Sequence, residues 1–229
     1  LLGVDFTDAN NGTVVGNGGY ISHTTNGGAS WTVHPSGSTY SIYEVDFTDA
    51  NTGTAVGYFG TIFRTVNGGA TWSSQSSGTT YALYGVSFVN SSTGTAVGEG
   101  GTILRTSNGG SSWTSQASGT IYTLRAVKFT DANNGTAVGD AGVIVRTTNG
   151  GSTWNAQSSG TQYVLYGVSF SDANDGVAVG YGGLILQTSN GGASWVLRSV
   201  SSGTPPSAPV LSSPLNGAAS QPTSLTFSW

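Results

Sequence analysis

Residues 94–113 read GTAVGEGGTILRTSNGGSSW. Two short runs rich in β-branched and aliphatic residues, GTAVG and TILRT, are followed by a glycine and asparagine cluster and a tryptophan. The last nine residues, Arg105–Trp113, recur as HTTNGGASW at 23–31, RTVNGGATW at 64–72, RTTNGGSTW at 146–154 and QTSNGGASW at 187–195. The five tryptophans, Trp31, Trp72, Trp113, Trp154 and Trp195, are each 41 residues apart. A second marker, LLGVDF, IYEVDF, LYGVSF, LRAVKF and LYGVSF, starts at Leu1, Ile42, Leu83, Leu124 and Leu165 with the same period. Five units without an insertion or deletion are therefore present.

Each unit reads as four strands. The first is of the LYGVSF type, with Tyr84, Val86 and Phe88 alternating. The second is GTAVG, the third TILRT, and the fourth starts at the tryptophan, as in WTSQAS. Short strands parted by Gly, Asn, Asp and Ser clusters are an all-β signal, and no segment has helical periodicity. The third strand is apolar at consecutive positions (Val143, Ile144 and Val145), which predicts a strand covered on both faces. A period near 41 with four strands per unit predicts a β-propeller over residues 1–200, with repeats starting at 1, 42, 83, 124 and 165. Either five blades close the ring, or repeats ahead of residue 1 complete a larger one.

The composition narrows the chemistry. Charged residues are 7% of the 229, against about 25% in an average soluble domain. Net charge is -4 and no basic cluster exists, so nucleic acid is not an expected partner. No run approaches ~18 consecutive apolar residues, so no helical membrane span is expected. With no cysteine, disulfides and thiolate metal sites are excluded.

The NGG turn has a structural explanation. Asn-Gly is a strong hairpin signal and predicts a type I′ turn with positive φ at both residues. The threonine hydroxyl can tie the turn back to its strand, and the tryptophan supplies the largest apolar area in the unit. The pattern Thr-x-Asn-x-Gly-x-x-Trp resembles the Asp-box, or BNR repeat, of sialidases and related propellers, with Asn in place of Asp. It is carried by Thr24, Asn26, Gly28 and Trp31; by Thr65, Asn67, Gly69 and Trp72; and by Thr106, Asn108, Gly110 and Trp113. Thr147, Asn149, Gly151 and Trp154, then Thr188, Asn190, Gly192 and Trp195, complete the set. The whole unit resembles more closely the propellers of the photosystem II stability/assembly factor type. That resemblance implies Asp-box turns between third and fourth strands. Related repeats are widespread in secreted bacterial proteins, which implies an extracellular or cell-surface location.

A sialidase resemblance implies three arginines converging on a carboxylate, a Tyr nucleophile with a Glu, and an Asp acid/base. Arg64, Arg105 and Arg146 instead share one repeat position and would form a ring, leaving only Arg125 and Arg198. Glu44 and Glu99 lie in different strands of different units, and His23 and His34 are isolated. Glu99 and Asp140 are equivalent in adjacent units and could face each other, without a catalytic motif to support them. No catalytic residue, cofactor or metal ligand is assigned. The DANDG segment, Asp172–Gly176, is one residue short of a calcium loop before its glycine, and Asp8, Asp49, Asp131 and Asp172 read as Asx-turn residues.

Positions that differ between units are free for individual roles. The connection between second and third strands varies most: Asn17-Gly18, Tyr58-Phe59, Glu99-Gly100, Asp140-Ala141 and Tyr181-Gly182. It lies opposite the NGG turns, because the strands alternate direction. Tyr40, Tyr81, Tyr122 and Tyr163 share that face, either as surface or packed at blade junctions. The candidate ligand face is Tyr58, Phe59, Glu99, Asp140 and Tyr181, suited to a protein or glycan.

Five of the six prolines lie from Pro205 onward. Residues 201–208 read as a Ser/Pro linker, and 209–229 resemble the beginning of a truncated fibronectin type III or Ig-like module. The expected function is a non-catalytic binding or scaffold module of a secreted or cell-surface multidomain bacterial protein. A self-assembling extracellular structural protein and a sialidase-like glycoside hydrolase are the alternatives.

Overall fold

A computed structural model describes residues 1–198 of the chain; the linker at 201–208 and the fibronectin-like segment at 209–229 lie outside the described residues. Five antiparallel four-stranded sheets follow one another, each strand pairing with its sequence neighbour. The first comprises β1 (Gly3–Phe6), β2 (Gly12–Val15), β3 (Ile21–Thr24) and β4 (Thr32–Val33). The second comprises β5 (Ile42–Phe47), β6 (Gly53–Gly57), β7 (Ile62–Thr65) and β8 (Ser73–Gln75). The third has β9 (Leu83–Phe88), β10 (Gly94–Gly98), β11 (Ile103–Thr106) and β12 (Thr114–Gln116). The fourth has β13 (Leu124–Phe129), β14 (Gly135–Gly139), β15 (Ile144–Thr147) and β16 (Asn155–Gln157). The fifth has β17 (Leu165–Phe170), β18 (Gly176–Gly180), β19 (Leu184–Thr188) and β20 (Val196–Arg198). The architecture is all-β and of the propeller type. The fourth strand of each sheet begins one residue after the tryptophan rather than at it.

The GTAVG strands are buried because each lies inside its sheet and between neighbouring sheets. In β6 every residue from Gly53 to Gly57 is buried. Gly53 is required there: a Cβ would lie 2.7 Å from the ring of Phe47, the residue opposite it in β5. The same Gly–Phe pair recurs in every sheet, as Gly12–Phe6, Gly94–Phe88, Gly135–Phe129 and Gly176–Phe170.

The apolar cores sit between blades, not within them. Val15 and Ile21 of the first blade meet Ile42, Val45, Ala55 and Phe63 of the second. Val56 and Ile62 meet Leu83, Val86, Ala96 and Leu104 of the third. Val97 and Ile103 meet Leu124, Val127 and Val145 of the fourth, and Val138 and Ile144 meet Leu165, Ala178 and Leu186 of the fifth. Each fully buried aliphatic side chain stabilises such a boundary by roughly 1.5–3 kcal/mol.

The row of blades is open among the described residues. β5 packs on β1 and β9, β13 on β9 and β17, but no comparable packing joins β17 to β1. Val4 is 56% exposed while its equivalent Val45 is 2% exposed. At the other end Val179 is 45% exposed, and its equivalent Val138 is fully buried.

Polar staples reinforce the boundaries. The backbone N–H of Phe47 donates to Asp5 Oδ2, and that of Phe88 to Asp46 Oδ2, both at 2.7 Å. Arg64 donates from Nη1 to Thr54 Oγ1 at 2.6 Å in its own sheet and from Nη2 to the Ser91 carbonyl of the next blade at 2.5 Å. Arg105 repeats this with Thr95 and Ala132. Their guanidinium groups also lie 4.8 Å and 4.6 Å from the rings of Phe88 and Phe129.

The NGG turn differs from the type I′ expectation. Positive φ falls on Gly27 and Gly28 (68° and 88°), not on Asn26, because the asparagine side chain is occupied in closing the turn. Thr24 Oγ1 donates to Asn26 Oδ1 at 2.9 Å and accepts the Gly28 N–H at 2.9 Å, while Asn26 Oδ1 accepts the Ser30 N–H at 2.9 Å. The other four turns repeat these bonds. In the connections between first and second strands, Asp8 Oδ1 accepts the N–H groups of Asn10 and Asn11; Asp49, Asp131 and Asp172 do the same in their units.

Candidate functional site

The face opposite the NGG turns is built from the ends of second strands, five 3-10 turns and the starts of first and third strands. The 3-10 turns are Asn17–Gly19, Tyr58–Gly60, Glu99–Gly101, Asp140–Gly142 and Tyr181–Gly183. All ten tyrosines of the chain lie at this face. Tyr58 and Tyr181 open 3-10 turns, Tyr20 precedes β3, and Tyr43, Tyr84 and Tyr166 are second residues of first strands. Tyr40, Tyr81, Tyr122 and Tyr163 precede first strands and are exposed, so they do not pack at blade junctions. Their hydroxyl-bearing rings are left at the surface because the strands they precede already fill the junctions with Ile42, Leu83, Leu124 and Leu165.

Of the five residues singled out on this face, the structure brings Tyr58 and Phe59 together and separates the rest by blade. The Tyr40 ring centroid lies 5.8 Å from that of Tyr58 and 5.7 Å from that of Phe59. Tyr181 pairs with Tyr163 at 5.9 Å. Glu99 and Asp140 do not face each other. Glu99 Oε2 accepts the Ala82 N–H at 3.4 Å. Asp140 is held in a bidentate pair by Arg125, with Nε–Oδ1 at 2.8 Å and Nη2–Oδ2 at 3.1 Å. That contact raises the Arg125 pKa and occupies both carboxylate oxygens.

A second row lies nearer the inner strands and was not singled out from the sequence. Tyr43 stacks on Tyr84 with centroids 5.0 Å apart, and Arg125 sits 4.9 Å from the Tyr84 ring. With Tyr166 they occupy one repeat position, 43, 84, 125 and 166. Listing residues by repeat position would have exposed this row.

Beside the Tyr40–Tyr58–Phe59 cluster runs a groove of about 1000 Å³, walled by segments 36–40, 59–61 and 74–80. Equivalent grooves in the third and fourth blades are about 640 and 480 Å³. No charged side chain lines any of the three.

Charge is instead concealed at the inner strands. Burial pushes the Glu44 carboxyl up to about 7, helped by Asp46 and Asp5. Burial likewise pushes Asp46 up to about 6, against the N–H bond from Phe88 that lowers it. Glu44 occupies a position that is Gly3, Gly85, Ala126 or Gly167 in the other blades.

Comparison with known proteins places this architecture. A solved structure of YCF48 bound to D1 peptide is similar with a TM-score of 0.65 at 22% identity, covering 85% of this chain and 65% of that one. A GH74 enzyme from Niastella koreensis gives a TM-score of 0.69 at 19% identity, covering 85% of this chain and 37% of the enzyme. The computationally designed Ika8 protein gives 0.67 at 15% identity, with 85% and 60% covered. At these identities the likeness shows the fold alone, and the chain spans under two thirds of each of these proteins. No curated protein sequence matches the chain. The family description for photosynthesis system II assembly factor YCF48 matches residues 35–159 and 118–219. That family is an assembly factor of the thylakoid lumen or cyanobacterial cell, which overturns the secreted, cell-surface location expected from the sequence. It is also a non-enzymatic family, whereas the GH74 structures that share the fold are enzymes. With matches spanning most of its length, the chain belongs to the photosynthesis system II assembly factor YCF48 family.

Proposed function

We propose that the chain is a non-catalytic protein-binding module whose tyrosine face holds a segment of a client polypeptide. The observation that carries this is the segregation of all ten tyrosines to one face, with the five repeat tryptophans at the other. Tyrosine offers a large, rigid, amphipathic contact area with only two side-chain torsions to order, and charge-poor aromatic surfaces favour protein partners. Tyr58, Phe59 and Tyr181 are the contact residues of this reading. Asp140 orients Arg125, and Glu99 accepts the Ala82 N–H just ahead of β9, the first strand of its blade. The YCF48 structure with a D1 peptide suggests the class of client, a peptide segment of another protein.

The Thr-x-Asn-x-Gly-x-x-Trp turns are read as Asp-boxes with a purely structural task. The bond set around each threonine hydroxyl supports that assignment. Arg64 and Arg105 have their guanidinium donors committed to blade boundaries, which argues against a convergent arginine cluster.

A labelled D1 peptide titrated into the chain, read by fluorescence anisotropy, tests the reading. Combined Tyr58→Ser, Phe59→Gly and Tyr181→Ser substitutions are expected to weaken binding by at least about tenfold, the scale of losing hot-spot residues. Unchanged affinity in a folded triple variant would remove the tyrosine face as the binding surface.

A further inference from the structure

We infer that the Tyr40–Tyr58–Phe59 cluster and its groove form a side-chain pocket for an uncharged, extended peptide segment bearing an aliphatic or aromatic residue. This rests on the tyrosine-face reading and names the chemistry that one part of the face selects. Three observations carry it.

The first is the conformation of Phe59. Its φ is 57°, in the left-handed region, where the equivalent residues of three other blades are Gly18, Gly100 and Gly182. A bulky residue there is uncommon and carries local strain. That strain is not offset by core burial, since the Phe59 side chain is 50% exposed. The sequence therefore places a phenyl ring at the surface where the fold itself accepts glycine.

The second is the shape of the cluster. Tyr40 is tilted 59° to Tyr58 and 38° to Phe59, and Tyr58 is tilted 35° to Phe59, with centroids 5.7–6.3 Å apart. Rings inclined in this way do not make one flat platform, and Tyr40 and Phe59 both line the groove. A recess between tilted rings suits a compact apolar side chain, whereas a sugar face would have a single ring to stack on. This favours a peptide over a glycan.

The third is the charge of the surroundings. The groove is walled by Ser, Thr, Gly, Gln, Tyr and Phe, with no charged side chain. A charged group entering it would lose hydration with no counter-charge to replace it. Hydroxyls such as those of Ser76 and Thr80 can meet a peptide backbone, leaving the rings for its side chain. The carboxylates of this face, Glu99 and Asp140, belong to the third and fourth blades.

The test is an NMR titration of the isotope-labelled 229-residue chain with capped hexapeptides that differ only at one central residue: Phe, Leu, Gly or Glu. A xyloglucan oligosaccharide serves as the sugar arm. Phe and Leu peptides are expected to shift residues 36–40, 59–61 and 74–80, and to bind about tenfold tighter or more than the Gly and Glu peptides, as for one anchoring side chain. Phe59→Gly, which restores the residue used by three sister blades and so keeps the fold, is expected to abolish the preference. Val66→Ala, an exposed position in an NGG turn at the opposite face, is expected to leave it intact. Equal binding of the Glu peptide, saccharide binding in the same groove, or a preference that survives Phe59→Gly would each overturn the inference. If one of these outcomes occurs while the D1 peptide still binds the tyrosine face, the binding-module reading stands and only this pocket falls. If no peptide of either kind shifts that face, both fall.

Discussion

Asp46 of the second blade accepts the backbone N–H of Phe88 in the third at 2.7 Å, so a side chain rather than a strand pairing joins neighbouring inner strands. Asp5 does the same for Phe47, and Ser87 accepts from Phe129 at 3.2 Å. Blades here share no ladder, so these bonds satisfy inner-edge N–H groups that would otherwise be left without a partner between the sheets. Replacing Asp46 with Ala should cost roughly 1–3 kcal/mol, the penalty of stranding a buried donor. Asp46→Asn retains an acceptor and removes a charge that burial disfavours, so its stability at pH 8 should lie within about 1 kcal/mol of the parent or above it. Urea denaturation of the two variants separates acceptor from charge; equal losses would show that charge is required.

Glu44 gives the chain an unusual pH response. Its folded pKa is about 7, raised first by desolvation, while the unfolded carboxyl titrates near the usual 4.5. The folded state therefore holds a proton that the unfolded state has released, and stability falls as pH rises between about 4.5 and 7. Asp46 adds a fall of the same sign between its ordinary value of 3.8 and about 6. Asp49 and Asp131 act oppositely, because backbone and side-chain hydrogen bonds lower their pKa, and their contribution is lost only in acid. Glu44→Gln should raise stability at pH 8 by roughly 1–3 kcal/mol and flatten the fall between pH 5 and 7. Thermal melts across pH 4–8 check this; an unaltered profile would show that another group controls it.

How much of this was legible follows from which residues interact within a repeat and which do not. The blades were legible because the 41-residue period and the doubly buried GTAVG strands are local patterns that the structure must satisfy in every unit. The turn was half legible. Thr24 binding back to the turn follows from its spacing, but whether Asn-Gly or Gly-Gly takes the positive φ depends on the side chain of Asn26, which closes onto Ser30 instead. On the candidate face, the exposure of Tyr58, Phe59 and Tyr181 follows from their place in variable turns. The capture of Asp140 by Arg125 does not, because those residues are 15 apart and meet only when β13 and β14 pair. The strained φ of Phe59 has no signature in its own residue type and shows only against the glycines of the sister blades. The location was misread because the repeat pattern reports a fold, and a fold carries no address.

Burial of equivalent valines gives a test of where the core lies. Val45 is enclosed by Val15, Ile21 and Phe63, whereas Val4 has no blade against it among the described residues. Val45→Ala should cost roughly 2 kcal/mol through lost transfer energy and the cavity left behind. Val4→Ala, the same chemical change, should stay within about 0.5 kcal/mol, as for an exposed site. Chemical denaturation of the pair decides it. A comparable loss at Val4 would mean that its face is covered in solution, and light scattering would then show whether a second copy covers it.

The tryptophan N–H groups point to a stabilising change. Trp113 Nε1 donates to Gln75 Oε1 at 3.4 Å, and Trp154 Nε1 to Gln116 Oε1 at 3.2 Å, each glutamine coming from the preceding blade. The same glutamines reach the next turn, Gln75 Nε2 donating to the Gly109 carbonyl at 2.9 Å. In the first blade that repeat position is His34, and Trp72 Nε1 is buried with no partner among the described residues; Trp195 Nε1 is also without one although Gln157 holds the position ahead of it, so a glutamine there permits the bond without enforcing it. An imidazole is shorter than the glutamine amide and cannot serve the tryptophan N–H and the turn carbonyl with the same fork of acceptor and donor. His34→Gln offers the acceptor and donor that Gln75 and Gln116 use, and should raise stability by roughly 1 kcal/mol, one buried hydrogen bond that had been missing. The effect should vanish when Trp72 is Phe, since the N–H it satisfies is then gone. A double-mutant cycle by urea denaturation measures the coupling; a gain that persists beside Trp72→Phe would place its origin in the turn carbonyl rather than in the indole.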